Sequence, residues 1–140
     1  MDLYAVMTEI DTRLKTITGL RVAEFGYAKS IQPPMAVQYP PERIGFDGTY
    51  GRGSDTYEDH LIVVGVGNSN ARSALKAIAP FLAGSGAKSI KAKLDMSNTA
   101  PYASCSDLTV VWAELDAGAR IGGADYLAAV FHCNIIGAGA

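Results

Sequence analysis

Two strand-like runs, Met35-Ala-Val-Gln-Tyr39 and His60-Leu-Ile-Val-Val-Gly-Val66, flank a glycine-bearing stretch, and this arrangement limits the possible folds more than any other feature of the chain. Across Phe46–Asp59, Gly48, Gly51 and Gly53 leave the backbone free to take many shapes, while Tyr50, Arg52, Tyr57 and four acids supply side chains that grip. The expected structure is a long β-hairpin with a projecting loop over 47–59. A tip longer than a turn needs is either functional or disordered. None of its residues performs bond-making chemistry alone, so the stretch points to binding or assembly. Tyr and Arg are enriched at interfaces because they join large area to hydrogen bonding. Arg43, Asp47, Tyr50, Arg52, Asp55 and Tyr57 are therefore the candidate contacts with a subunit or partner, the plain alternative being an exposed loop.

The flanking segments fit a single domain over 1–140. Asp2 caps a helix in which Leu3, Val6, Met7, Ile10, Leu14 and Ile17 recur at helical spacing, and Thr18-Gly19 closes it. Leu20–Phe25 reads as a strand, and Gln32-Pro-Pro34 as extended chain. Met35–Tyr39 is a short strand ended by Pro40-Pro41, and His60–Gly67, apolar on both faces, is a central one. Asn68 or Ser69 opens a second helix with Ala71, Ala74, Leu75, Ile78 and Leu82 inward, kinked or cut short by Pro80. Ser89–Leu94 is a strand or a helical turn, and Met96–Ser104 a loop. Two long strands close the chain, Ser106–Ala117 with Leu108, Val110 and Trp112 on one face, and Asp125–Ile136; Gly118 and Gly122-Gly123 punctuate them. Trp112, Tyr126 and Phe131 are expected in the core. The predicted class is α+β: a mostly antiparallel sheet of about five strands, two helices packed on one face and a long extended hairpin loop.

Charge narrows the partners. Twelve basic and fourteen acidic residues give a formal −2, without the basic stripe of a dedicated nucleic-acid binder. Lys88, Lys91 and Lys93 form the one basic cluster and read as a solvated face. Cys105 and Cys133 are too few for a disulfide framework and lack metal-ligand spacing, so both read as buried thiols of a reducing compartment. Asp2, Glu9 and Asp11 do not suit a signal peptide, and the apolar run from Tyr126 to Ala140 is too short and too interrupted to span a bilayer. A soluble protein is expected.

Three patterns invite chemistry. Gly65-Val-Gly67-Asn-Ser-Asn70 follows a strand and opens a helix, as a dinucleotide fingerprint does, but Asn70 replaces the third glycine and no acid follows at the ribose-binding distance. A plain strand-to-helix turn fits better. Cys105 with His60 or His132 would make a nucleophile and base, yet Ser104-Cys105-Ser106 matches no nucleophile elbow, and His132 reads as a hydrogen-bonded core or interface histidine. Glu114 and Asp116 share a strand face and could hold a cation or serve acid-base work, or form a solvated edge. No catalytic residue, cofactor or metal is assigned.

Met1-Asp-Leu, Arg13-Leu, Thr18-Gly-Leu-Arg-Val22, Gln32-Pro-Pro, Tyr39-Pro, Phe46-Asp-Gly-Thr-Tyr-Gly-Arg-Gly53, Lys88-Ser-Ile-Lys-Ala with Leu94, and Ile121-Gly-Gly-Ala-Asp-Tyr-Leu-Ala-Ala129 together resemble the small neck and tail-terminator proteins of long-tailed phages that infect actinobacteria. The resemblance implies a structural virion protein that is not an enzyme. It implies a homo-oligomeric, hexameric ring, assembled in the host cytoplasm, that caps the tail tube and joins it to the head connector. Its partners would be copies of itself, the major tail protein and a head-closure or connector protein, with DNA passing through the channel unbound. A head-closure or other tail-completion protein of the same neck is the near alternative. A small ligand-binding domain or enzyme using Cys105 and His60 is the alternative of another class. Projecting loops suit a ring, since a head-to-tail contact repeated by rotation closes on itself; the tip at 47–59 and the loop from Met96 to Ser104 are the expected arms.

Overall fold

The computed structural model describes residues 1–23, 34–46, 53–67, 71–97, 99–121 and 124–138, with backbone alone at 117–121 and 124–125. Helix α1 (Leu3–Leu14) starts where the Asp2 carboxylate accepts from the amides of Tyr4 and Ala5 at 2.9 and 3.2 Å, groups that no preceding turn can satisfy. Val6, Ile10 and Leu14 recur four residues apart and are fully buried. Gly19, at φ +84°, turns the chain after the helix in a conformation that side chains rarely adopt.

Strands β1 (Arg21–Val22), β2 (Met35–Tyr39), β3 (Arg43–Gly45), β4 (Ser54–Gly67), β5 (Asp107–Ile121) and β6 (Ala124–Ala138) form one sheet in the order β1-β2-β4-β6-β5, with β3 also on β4. Every pairing is antiparallel except β1 with β2. β2 and β3 follow one another along the same side of β4, opposite Leu61–Gly65 and Thr56–Glu58. Pro40-Pro41 separates them, because proline has no amide to give to a ladder. Helices α2 (Ala71–Leu82) and α3 (Ile90–Leu94) complete the fold, α3 opened by the Ser89 hydroxyl accepting from the Ala92 amide at 3.1 Å. Among the described residues no helix is long and apolar enough to cross a membrane.

All three helices pack on one face of the sheet. Val6, Ile10, Leu14, Ile78, Phe81, Ile90 and Leu94 meet Ala36, Ile62, Val64, Leu127, Ala129, Phe131, Cys133 and Ile135 in a continuous core. A smaller cluster of Met35, Val37, Val63, Tyr126 and Ala128 lies on the opposite face, as strand alternation requires. The predicted α+β class and single-sided helices are what the structure has, with six strands and a short third helix.

Several local expectations are corrected. Pro80 does not cut α2 short; the helix runs through it to Leu82. Ala74, Ile78 and Phe81 are its buried residues, whereas Ala71 and Leu75 are exposed, because the 74-78-81 spacing alone sets the inward stripe. Trp112 does not share a face with Leu108 and Val110. Val110 pairs with Cys133 and Trp112 with His132, so a bulge at Val111 turns Trp112 to the outer face, where it is half-exposed. Gly65 and Gly67 lie within the β4 ladder, paired to Ala128 and Tyr126, and the turn expected after them lies outside the described residues. The predicted cap at Asn68 or Ser69, the predicted strand end at Glu24–Phe25, the extended Gln32-Pro33 and the turn at Gly122-Gly123 lie outside the described residues.

The loop from Met96 to Ser104 is not the expected projecting arm, because α1 holds it. Arg13 donates to Thr99 Oγ1, Ala100 O and Pro101 O at 3.2, 2.8 and 3.0 Å and lies 3.6 Å over the Tyr102 ring. The Glu9 carboxylate accepts from the amides of Ala103 and Ser104 and from the Ser104 hydroxyl at 2.6 Å. These hydrogen bonds hold the Glu9 pKa below its ordinary value against the opposing effect of its partial burial. Replacing Glu9→Ala removes a charged acceptor from these amides and is expected to destabilise the fold by about 1 kcal/mol. Amide exchange at Ala103 and Ser104 should quicken with it; unchanged exchange would mean the carboxylate does not hold the loop.

Candidate functional site

The six candidate contacts separate in the structure. Arg43 is exposed on β3, and its Nε donates to Glu58 Oε2 at 2.7 Å across the β3–β4 ladder. Asp55 and Tyr57 are not on a projecting loop: β4 starts at Ser54, and both are buried in it. The Tyr57 hydroxyl donates to Met1 O at 3.2 Å, and the Asp55 carboxylate lies 3.6 Å from the Met1 amine. Strand pairing to β3 and β6 draws 54–59 into the sheet, which leaves the expected tip with 47–53. Asp47, Tyr50 and Arg52 lie outside the described residues.

The outer face of the sheet, away from the helices, carries a belt of charge from β3 to β5. Tyr57 pairs with Ile135 but His60 with Cys133, so Glu58 and Asp59 bulge from the ladder. Asp59 takes φ 55°, a conformation rare for any residue but glycine that turns its carboxylate toward β6. There Asp59 Oδ1 lies 2.7 Å from His132 Nδ1, while Glu114 Oε1 of β5 lies 3.0 Å from His132 Nε2. Trp112 stacks on the imidazole, ring centres 3.8 Å apart and planes within 6°. A cavity of about 540 Å³ lined by Glu42, Arg43, Glu58, Asp59 and Asn134 opens beside this clamp.

With a carboxylate at each ring nitrogen, the charged imidazolium satisfies both partners and the neutral ring only one. Partial burial alone would lower the His132 pKa, but the hydrogen bonds to Glu114 and Asp59 outweigh it and raise it above 6.5. The His132 hydrogen bond likewise holds Asp59 below its ordinary value. A histidine engaged at both nitrogens is neither a free base nor a metal ligand, and among the described residues no group of three metal-ligating side chains occurs. The stability this clamp adds is fully present below the unfolded value of 6.5 and is lost as pH rises through the raised folded value. A proton NMR titration should show His132 titrating above 6.5 and Glu114→Gln moving it down; an unmoved midpoint would remove Glu114 from the clamp.

The other histidine faces the helices. His60 is fully buried, with Nε2 2.8 Å from Gln38 Oε1. Gln38 Nε2 donates to Met7 O at 2.7 Å and to Asp11 Oδ1 at 2.5 Å, so a polar link joins α1 to β2 and β4. His60 Nδ1 has no hydrogen-bond partner, and burial pulls the pKa down to about 4. Burial also pushes the Cys105 thiol up to about 11 and Cys133 to about 12. A nucleophilic cysteine needs the opposite shift, which counts against a Cys105 and His60 chemistry.

Sequence reasoning missed the clamp because its parts are far apart along the chain and the bulges that aim Asp59 and Trp112 have no fixed residue signature. The shared face of Glu114 and Asp116 and the reading of His132 as a hydrogen-bonded histidine were its visible signs. Compared with protein-family models and with curated proteins, the chain matches none.

Proposed function

We propose that the chain is a structural virion protein, a tail terminator whose copies form a ring that caps the tail tube and joins it to the head connector. The observation that carries this reading is the distribution of exposed apolar side chains. Among the described residues, five of the eight exposed large apolar side chains lie at the two lateral margins of one sheet, Ile44 and Phe46 beside β3 and Val111, Trp112 and Leu115 on β5; Tyr4 and Leu75 lie on helices and Ile136 on β6. Apolar residues gathered at an open sheet margin mark a surface built to be covered. A chain with two such margins on opposite sides can contact one neighbour through each, and a contact of that kind closes into a ring when the rotation allows. The sequence resemblance supplies the neck as the setting, and a net charge of −2 suits a channel wall that DNA passes without binding.

Electron microscopy of tail tubes incubated with the purified chain tests the role. A ring seated on one end of the tube, on the side that meets the head, is the expected result. Rings that bind the connector and ignore the tube would make it a head-closure protein, and no ring on either would overturn the reading.

A further inference from the structure

β5 is protected along only part of its outer edge. At its start, the residues that end α3 cover it: the Met96 amide donates to Leu108 O at 3.0 Å, and the Asp95 carboxylate accepts from the Val110 amide at 3.1 Å. The bulge at Val111 follows, and beyond it nothing among the described residues pairs with that edge. Val111, Trp112 and Leu115 are 52%, 49% and 51% exposed, and Ala113 and Glu114 are exposed as well. Monomeric proteins blunt such an edge with lysine, proline or a covering loop. Here the cover stops and the apolar residues begin.

The opposite margin has matching properties. Among the described residues β3 pairs with β4 alone, and beside it Ile44 is 38% and Phe46 73% exposed. Cross-strand partners share a face, so Ile44, opposite Tyr57, lies on the helix side and Arg43, opposite Glu58, on the outer side. On β5, Leu115, opposite Ala129, lies on the helix side and Glu114, opposite Val130, on the outer side. β3 runs antiparallel to β4, which β5 parallels through β6, so β3 is antiparallel to β5. A second copy, rotated about an axis along the strands, would bring its β3 antiparallel to β5 with helix sides together. Ile44 and Phe46 would then flank Leu115 on the helix side, and Arg43 would meet Glu114 on the outer side.

We propose that residues 111–116 of β5 take up β3 of a neighbouring copy of this chain, continuing the sheet from subunit to subunit. This rests on the ring reading above and names the contact that builds the ring. Self-pairing of β5 is the competing geometry. Registers centred on its exposed part that keep outer face beside outer face set Glu114 and Asp116 opposite or diagonal to the same acids of the other copy, which is unfavourable. Main-chain hydrogen bonds would supply the pairing, and the apolar and charged side chains its register.

Native mass spectrometry and circular dichroism of the full chain and two variants test the contact. The wild-type chain should run as a closed oligomer of the 14.7 kDa subunit. Leu115→Asp on one margin and Phe46→Asp on the other change exposed side chains, and each variant should keep its thermal unfolding yet run as a single chain. Mixed together they restore one intact contact per pair and should stop at a dimer, because the remaining margins are both spoiled. Amide exchange at 112–116 should be slow in the wild-type oligomer and fast in either variant, a readout independent of mass. A wild-type oligomer that survives both substitutions overturns the edge contact and leaves the ring reading standing. Dimers of Phe46→Asp alone would mean that β5 pairs with itself. A wild-type chain that stays monomeric at all concentrations and on tail tubes overturns both.

Discussion

Acidifying the protein from pH 6.5 to about 4 is expected to remove about 3 kcal/mol of stability through His60 alone. The folded state holds this ring neutral because it is buried among α1, β2 and β4, while the unfolded chain takes up a proton near 6.5. A depressed histidine pKa means that the unfolded state binds more protons in this window, so stability falls with falling pH and levels off below the folded value. His132 behaves in the opposite sense, losing its contribution as pH rises above 6.5. The two together place the stability maximum near that value. Urea unfolding across the range should show the acid slope, and His60→Leu should flatten it whatever that substitution does to overall stability. An acid slope unchanged in His60→Leu would show that carboxylates alone govern the acid limb.

The second large effect lies one residue away in the same network. Gln38→Leu removes two donors and an acceptor from the joint between α1 and the sheet, leaving His60 without a partner at either nitrogen. Buried polar atoms stripped of their partners cost far more than the bond was worth, and a loss of about 3 kcal/mol is expected. Adding His60→Leu to Gln38→Leu should cost less than it does in the wild-type background, because the orphaned ring is then removed. The coupling in that double-mutant cycle should be about 1–2 kcal/mol. Strictly additive losses would mean that Gln38 and His60 do not act as one unit.

The elements that were legible in the sequence are those fixed by local periodicity. The Asp2 cap, the 3–4 spacing of α1 and the apolar runs of β2, β4 and β6 each carry their own signature. Residues whose position depends on pairing were not legible. Tyr57 fell within the expected projecting loop, yet β4 continues back to Ser54 because β3 and β6 flank it on both sides. Trp112 looked like core by alternation, and one bulge residue sent it to the other face. His132 read correctly as a hydrogen-bonded histidine, but its partners come from strands 73 residues before and 18 residues before it, a distance that no local pattern spans. Of the expected arms, the loop at Met96–Ser104 is held by Arg13 and Glu9 of α1, contacts between segments far apart in the chain.

In the proposed ring, copies of this chain join through unlike margins. Light scattering of the purified chain, with electron-microscope class averages of the same sample, measures this. One closed ring of fixed copy number with rotational symmetry about its channel is expected. A two-fold dimer, or a mass of one subunit that persists when tail tubes are added, would contradict it.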